Sequence, residues 1–311
     1  MAQTRNAVIR VLPNVRRALD VGEPVVALES SVFAQGLPAP HNAEAARRMV
    51  AAAEKAGALA AITAVAGGVS TLGLEPAELA RFLRGDGVRK VSARDLGACV
   101  AQGADGATTV AAALALSSQA GVRVFATGGI GGVHRADPGA GPHTRDESAD
   151  LLELACTPMV VVCAGAKAIL DLPATWERLD TLGIPVVGLA TDEFPGFYTS
   201  RTGIPLSASA ATPAEVAKMA AVHFGLGRRQ ALLVVVPPPY ALALEPDEVE
   251  RAVGIAMADA ARAGVRGAAV TPFLLAAMSR ETGGRSLQTN LGLLESNAGV
   301  AAEIAVALGL G

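Results

Sequence analysis

Aromatic residues are scarce in this 311-residue chain: one Trp, two Tyr and seven Phe make up only 3% of it. The chain is nonetheless 51% hydrophobic, so its mean hydropathy of +0.40 comes from Ala and Val. Side chains that small suit helices packed closely on a sheet. Long apolar runs are missing as well. Met159 to Ala166 and Ala231 to Val236 fall well short of the roughly 20 residues that cross a bilayer and read as buried strands. Arg5, Arg10, Arg16 and Arg17 interrupt the first twenty residues, leaving no apolar signal core, so a cytoplasmic protein without a membrane segment is expected. A basic excess is absent too. With a net charge of −3 the chain offers no cationic face for a nucleic-acid backbone, which excludes DNA or RNA binding as its main role. The cysteines are three, Cys99, Cys156 and Cys163, with no Cys-x-x-Cys pair and no Cys/His cluster. That excludes a disulfide framework or a zinc site and predicts buried free thiols.

Lysine is the scarcest charge. Of 26 basic residues only Lys55, Lys90, Lys167 and Lys218 are Lys. Each is worth asking about, because an amine can act as a nucleophile where a guanidinium cannot.

Along the chain one theme repeats: an Ala-rich helical stretch, a Gly, then a short Val- or Ile-rich run. The pattern predicts helices over Asn42 to Ala56, Thr108 to Ala120, Thr175 to Leu182, Thr212 to Phe224, Pro246 to Ala263 and Gly292 to Leu308. It predicts strands over Val25 to Leu28, Leu59 to Val65, Val88 to Ser92, Val122 to Ala126, Met159 to Cys163, Pro185 to Leu189 and Ala231 to Val236. Continuous apolar strands alternating with helices argue for an α/β fold, a single domain over residues 1–311. Its sheet is expected to be largely parallel or mixed and covered by helices on both faces. Asp192 to Ser209 is a long loop, read as a lid or an intersubunit arm.

Several residues sit where chemistry is possible. Lys167 lies just beyond the carboxyl end of the Met159 to Cys163 strand, where ligands of α/β sheets collect. It is either a nucleophile for a sugar carbonyl or a lysine snorkelling to water. Lys90 is either an anion-binding point charge or a solvated strand-edge residue. Glu29 follows the Val25 to Leu28 strand, and a carboxylate there is either exposed or an acid/base group. Ala126-Thr-Gly-Gly-Ile-Gly-Gly-Val-His134 lacks the dinucleotide spacing and reads as a close backbone approach to a ligand or as a tight turn. Gly106-Ala-Thr-Thr-Val110 opens a helix and offers N–H groups and hydroxyls to an anion. Asp146, Glu147 and Asp150 are expected to share one helical turn, as dipole partners or as a hard oxygen site for Mg²⁺ or Mn²⁺.

Taken together, these segments resemble the pseudouridine-5′-phosphate glycosidase family, also known as indigoidine synthase A-like proteins. The resemblance runs from about Val25 to Leu308. It is carried by Ala27-Leu-Glu-Ser30, Lys90-Val-Ser-Ala-Arg-Asp95, Gly106-Ala-Thr-Thr-Val-Ala111, Phe125-Ala-Thr-Gly-Gly-Ile-Gly-Gly-Val-His-Arg135, Ser148-Ala-Asp150, Val162-Cys-Ala-Gly-Ala-Lys167, Thr191-Asp-Glu-Phe-Pro195, Thr271-Pro-Phe273 and Gly283-Gly-Arg-Ser286. It implies an α/β/α fold and reversible cleavage of the C–C bond of pseudouridine 5′-phosphate to uracil and ribose 5-phosphate. In reaction class it implies a pseudouridylate synthase, a carbon–oxygen lyase of the hydro-lyase type. Carried over by position, Lys167 is the nucleophile forming an imine at C1 of the opened sugar and Glu29 is the proton donor. Asp146 is the ligand of Mn²⁺ or another divalent cation. Lys90, Val110, His134, Ser148, Ala149, Asp150 and Asn290 bind substrate. The resemblance further implies a homotrimer.

Two departures stand out. Gln35-Gly36 replaces the family's usual His-Gly, so any hydrogen bond there comes from an amide that does not titrate. The stretch from Arg135 to Arg145 looks longer than usual, which bears on Asp146, His134 and His143. Two other functions fit the same residues: an imine-forming lyase or aldolase on another sugar phosphate, and a non-catalytic sugar-phosphate binding protein.

Overall fold

The computed structural model describes residues 9–135, 146–265 and 270–309, so His143 lies outside the described residues. In chain order the strands are β1 (Ile9–Val11), β2 (Val25–Leu28), β3 (Leu59–Ala66), β4 (Val69–Leu72), β5 (Arg89–Val91), β6 (Gly106–Thr108), β7 (Val124–Ala126), β8 (Val160–Cys163), β9 (Val186–Leu189), β10 (Ser209–Ala210) and β11 (Leu232–Val235). They form one sheet in the order β1-β4-β3-β2-β7-β8-β11-β9-β10, with β6 pairing β3 and β5 beside it. All pairings are parallel except those of β3 with β4 and β6. Val and Leu fill the central strands on both faces, as parallel strands covered twice require. The fold is therefore the expected single-domain α/β architecture with a mixed sheet.

The helices are α1 (Pro13–Asp20), α2 (His41–Lys55), α3 (Pro76–Arg84), α4 (Leu96–Ala101), α5 (Val110–Gln119), α6 (Ala149–Leu154), α7 (Leu172–Thr181), α8 (Pro213–Gly225), α9 (Pro246–Arg262), α10 (Val270–Glu281) and α11 (Arg285–Gly309). On one face α11 packs between α2 and α8 and touches β2, β7 and β8; α5 and α6 pack together on the other face. By length and composition α11 is apolar enough to cross a membrane, but its sides are filled by protein and it is the core helix of this layer.

Helix starts differ from expectation where capping decides. Asp171 caps α7 by accepting the Ala174 N–H at 3.0 Å, so the helix begins three residues before Thr175. Thr109 is the cap residue of α5, and the residues before it form strand β6, between β3 and β5, instead of a helical opening. Gly292 does not start α11 but lies inside it, where the Leu242 side chain occupies the space a Cβ would need. Cys99 and Cys163 are buried, as expected; Cys156 is exposed just past the end of α6, which corrects the expectation for that thiol.

Candidate active site

A cavity of about 340 Å³ opens at the carboxyl ends of β2, β7 and β8. Glu29 enters it from β2. There the sheet changes partners: β2 pairs with the first half of β3, and β6 with the second. Hydroxyls close that seam. Thr63 Oγ1 donates to the Leu28 carbonyl at 3.0 Å, and the Thr108 N–H donates to Ser30 Oγ at 2.9 Å. Freed from the ladder, the Glu29 side chain turns inward and is 5% exposed. Its Oε2 accepts from the Ser31 hydroxyl and its Oε1 from the Thr127 hydroxyl.

Lys167 enters from β8, two strands away. With strands about 4.8 Å apart, the two backbones stand roughly 10 Å from each other. Beyond the strands the exits of β7 and β8 zip together: Ala164 N–H bonds the Gly128 carbonyl at 2.8 Å, Ile130 N–H that of Gly165 at 3.0 Å, and Lys167 N–H that of Ile130 at 3.1 Å. Gly165 makes the bend at φ +84°, with the Pro195 carbonyl where a Cβ would project, so only glycine fits. Lys167 is half-buried at the cavity wall. Beneath it, burial pushes the Cys163 thiol up to about 12, leaving it inert.

The glycine-rich exit of β7 is not a tight turn built on positive φ, and Gly128, Gly129 and Gly131 line the cavity. None of its four glycines has positive φ, and what they admit is protein: Gly129 the Phe197 ring, 2.5 Å from an ideal Cβ, Gly131 the Ser148 hydroxyl, and Gly132 the Thr175 hydroxyl. Phe197 itself is held at φ +67°, a left-handed conformation that costs a non-glycine residue energy.

Nor do the three carboxylates share a helical turn. Asp146 and Glu147 lie on an extended segment beside Val133 and His134, and α6 begins only at Ala149 with Ser148 as its cap. The carboxylates therefore diverge. Glu147 meets Arg178 at 2.9 Å, while Asp146 is exposed at the cavity. Asp150 is buried, and its two oxygens accept the Ala111 and Gly131 N–H groups, each at 2.9 Å. Its side chain thus ties the start of α5 to the glycine loop.

Lys90 reaches the cavity from exposed edge strand β5. Enclosure by the cavity walls and the charge of Lys167 lower its pKa, against the pull of Glu29 and Asp150. Burial lowers that of His134 as well, opposed by Asp146. Val110 is the first residue of α5; Asn290, on α11, is 5% exposed, and its Oδ1 has no hydrogen-bond partner among the described residues. Glu29, Lys90, Val110, His134, Asp146, Ser148, Ala149, Asp150, Lys167 and Asn290 all line this one cavity. Sequence reasoning missed Thr127, Ser31, Phe197 and the α10 residues Thr271, Pro272 and Leu275. Thr127 lies inside a motif singled out for its glycines, so its hydroxyl was the available signal. Gln35 donates its amide N–H to the Val88 carbonyl at 3.0 Å, bracing strand β5 with a group that does not titrate.

Among the described residues no three His, Cys, Asp or Glu side chains converge as metal ligands. The donor set fits a hard cation held by the Asp146 carboxylate and otherwise by water, and does not fit an all-protein cage.

An α/β scaffold that brings a buried carboxylate, two amines and a helix start to one cavity defines an enzyme able to combine amine chemistry with proton transfer on an anionic substrate. The chain belongs to the indigoidine synthase A-like protein family, whose model matches residues 14–307. Pseudouridine-5′-phosphate glycosidases of Gemmatimonas aurantiaca and Chloroflexus aurantiacus are 57% and 51% identical to it, over 96% of this chain and 96% and 98% of theirs. The crystal structure of the prealnumycin C-glycosynthase AlnA in complex with ribulose 5-phosphate is similar, with a TM-score of 0.88 and 36% identity over 98% of both chains. An indigoidine synthase A-like protein of Thermotoga maritima has a TM-score of 0.86 and 35% identity, over 97% of this chain and 96% of that one.

Proposed function

We propose that this enzyme is a pseudouridine-5′-phosphate glycosidase that works through an imine on Lys167. The observation that carries the reading is the placement of Glu29 and Lys167 on one cavity with only β7 between their strands. Relatives of that name at up to 57% identity support it.

A C–C bond to uracil has no bridging heteroatom to protonate, so the usual glycosidase handle is missing. Lys167 forms a bond to C1 as the ring C–O bond breaks, and its nitrogen lone pair then closes the imine as the bond to the base breaks and that bond's electrons leave with the uracil carbon being protonated. The two hydrogens lost by the amine balance one gained by the ring oxygen and one gained by the departing uracil carbon. Glu29 carries them, giving a proton and taking the next. Water then hydrolyses the imine to ribose 5-phosphate and restores Lys167. Run backwards, uracil and ribose 5-phosphate yield the nucleotide and water, which is the carbon–oxygen hydro-lyase sense of the reaction.

Lys90, the α5 start at Val110 and the Ser148 to Asp150 turn hold the phosphorylated sugar in this reading, with His134 and Asn290 as further substrate contacts. Asp150 contributes by fixing the backbone and not by touching an anion. A divalent cation on Asp146, Mn²⁺ by the family's example, supplies positive charge and ordered water to the cavity. The assembly in this reading is a homotrimer that covers exposed apolar residues such as Leu226 and Tyr240. Its unpaired cysteines suit the reducing cytoplasm.

Borohydride reduction with ribose 5-phosphate, followed by peptide mass spectrometry, is expected to place the sugar on Lys167. Lys167→Ala is expected to lose both the adduct and turnover in either direction. An active Lys167→Ala enzyme would overturn the imine. Trapping on Lys167 without formation of the nucleotide from uracil would favour a lyase for another sugar phosphate, a reading that the ribulose 5-phosphate bound by AlnA keeps specific.

A further inference from the structure

Two carboxylates are buried at the cavity, Glu29 and Asp150, each 5% exposed, and they are held by donors of different kinds. Asp150 accepts from the Ala111 and Gly131 N–H groups. A backbone N–H only donates and cannot exchange that role for an acceptor's. Glu29 accepts from the hydroxyls of Ser31 and Thr127. A hydroxyl can donate or, after turning about its C–O bond, accept.

The Thr127 hydroxyl is aimed by its surroundings. The Thr127 N–H bonds the Val162 carbonyl of β8 at 3.0 Å, and its own carbonyl accepts Asn297 Nδ2 at 2.8 Å. Asn297 lies on α11, fully buried, and reaches the Gly128 carbonyl at 3.3 Å as well. Core helix and central strand thus grip the residue on both sides of its peptide. The Ser31 hydroxyl reaches Glu29 from two residues further along the same turn. Lys90, Lys167, Asp150, Asp146, Glu147, Arg94, Asp95 and His134 are the other charged or titratable groups lining the cavity with Glu29.

We propose that Ser31 and Thr127 form a reversible hydroxyl clamp: positioning residues that keep the Glu29 carboxyl in one orientation in both its protonation states. The inference rests on the reading that Glu29 carries the protons of the reaction. When Glu29 holds a proton, its O–H donates to one clamp oxygen, whose own hydrogen turns away to another acceptor. Once the proton has passed to the ring oxygen or the uracil carbon, both hydroxyls turn back and donate to the carboxylate. A clamp of N–H groups cannot reverse in this way, because an N–H only ever donates. Asp150 is held in that irreversible way, by the Ala111 and Gly131 N–H groups.

Four variants test this, read by kcat and KM for nucleotide cleavage. Glu29→Gln is expected to lose about 10²-fold or more in kcat, the usual worth of a general acid. Thr127→Val keeps the shape and removes the hydroxyl; kcat is expected to fall about tenfold or more, consistent with a misplaced catalytic group, while KM barely moves. Thr127→Ser is expected to recover most of the lost kcat relative to Thr127→Val. Ser31→Ala is expected to lower kcat in the same KM-sparing way, and it serves as the clamp test if Thr127→Val does not fold. Wild-type turnover by Glu29→Gln would remove the role of Glu29 and the clamp with it. A dead Glu29→Gln beside Thr127→Val and Ser31→Ala enzymes of wild-type kcat would overturn the clamp alone, as would failure of Thr127→Ser to recover what Thr127→Val lost.

Discussion

Lys167 leaves a strand buried on both faces among Val and Leu, whereas Lys90 lies on an exposed edge strand of a flank held together partly by charge. In the parallel half, β2, β7, β8, β11 and β9 bury almost every side chain, and Glu29 and Lys167 project from its carboxyl edge. In the flank, made of β1, β4, β5 and β6 around the end of β3, Ile9 and Leu72 join the main core, while β5 and β6 rest on small apolar clusters. Ion pairs supplement them. Arg10 meets both Glu78 oxygens at 2.8 and 2.7 Å, and Arg81 meets both Asp105 oxygens at 2.6 and 3.0 Å. Asp105 also accepts the Gly67 N–H at 2.7 Å, stitching the β3–β4 turn to the start of β6. The groups proposed to make and break bonds thus stand on close-packed apolar structure, which holds distance best. The amine proposed to hold an anion stands on a surface layer, where a point charge tolerates small displacements.

The largest effect that separates the halves comes from a core cavity. Leu28 is fully buried at the end of β2, one residue before Glu29. Leu28→Ala is expected to cost about 3 kcal/mol of unfolding free energy, mid-range for such a deletion, read from urea denaturation. A cost near that of an exposed site would mean that the parallel half is not the rigid member of the pair. The next effect is functional. Lys90→Gln is expected to raise KM for the phosphorylated substrate about tenfold, close to 1.4 kcal/mol, while borohydride still traps ribose 5-phosphate on Lys167. An unchanged KM would take Lys90 out of anion binding.

The parallel half was legible in the sequence because its signal is local. Runs such as Val25 to Leu28 and Met159 to Cys163 declare strands buried on both faces, and polar residues just past their ends declare a site. The flank was less so. Val69–Leu72, with Ser and Thr inside it, was not read as a strand, and Gly106–Thr108 was read as a helix opening because Thr109 and Val110 do begin one. What local pattern cannot carry is which distant side chain fills a missing Cβ or a lone pair. Gly131 exists for Ser148, Gly292 for Leu242, and Thr127 for a carboxylate 98 residues earlier in the chain. The divergence of Asp146 from Asp150 belongs to the same class. Their spacing fits one helical turn, but Asp146 is drawn instead to the His134 N–H, whose hydrogen bond its carbonyl accepts at 2.9 Å.

The smallest effect is an acid loosening confined to the flank. Burial opposes the charge on Asp105, but the Arg81 guanidinium and the Gly67 N–H outweigh it and hold its pKa below the ordinary value; Glu78 is lowered likewise, with Arg10 and the Glu75 N–H overcoming burial. A carboxyl whose pKa is lower folded than unfolded adds stability above the unfolded value, near 4 for these groups, and loses it as pH falls through the folded value. The two ion pairs are partly open to water, so together they are worth about 1 kcal/mol. Arg81→Ala at neutral pH should therefore mimic part of the acid effect. Hydrogen exchange at pH 7 and pH 3, corrected for intrinsic rates, is expected to show faster opening of Arg89–Val91 at the lower pH while Val160–Cys163 holds. Equal loosening of both strands would mean that the flank's ion pairs are not what distinguishes it, and that the halves open as one unit.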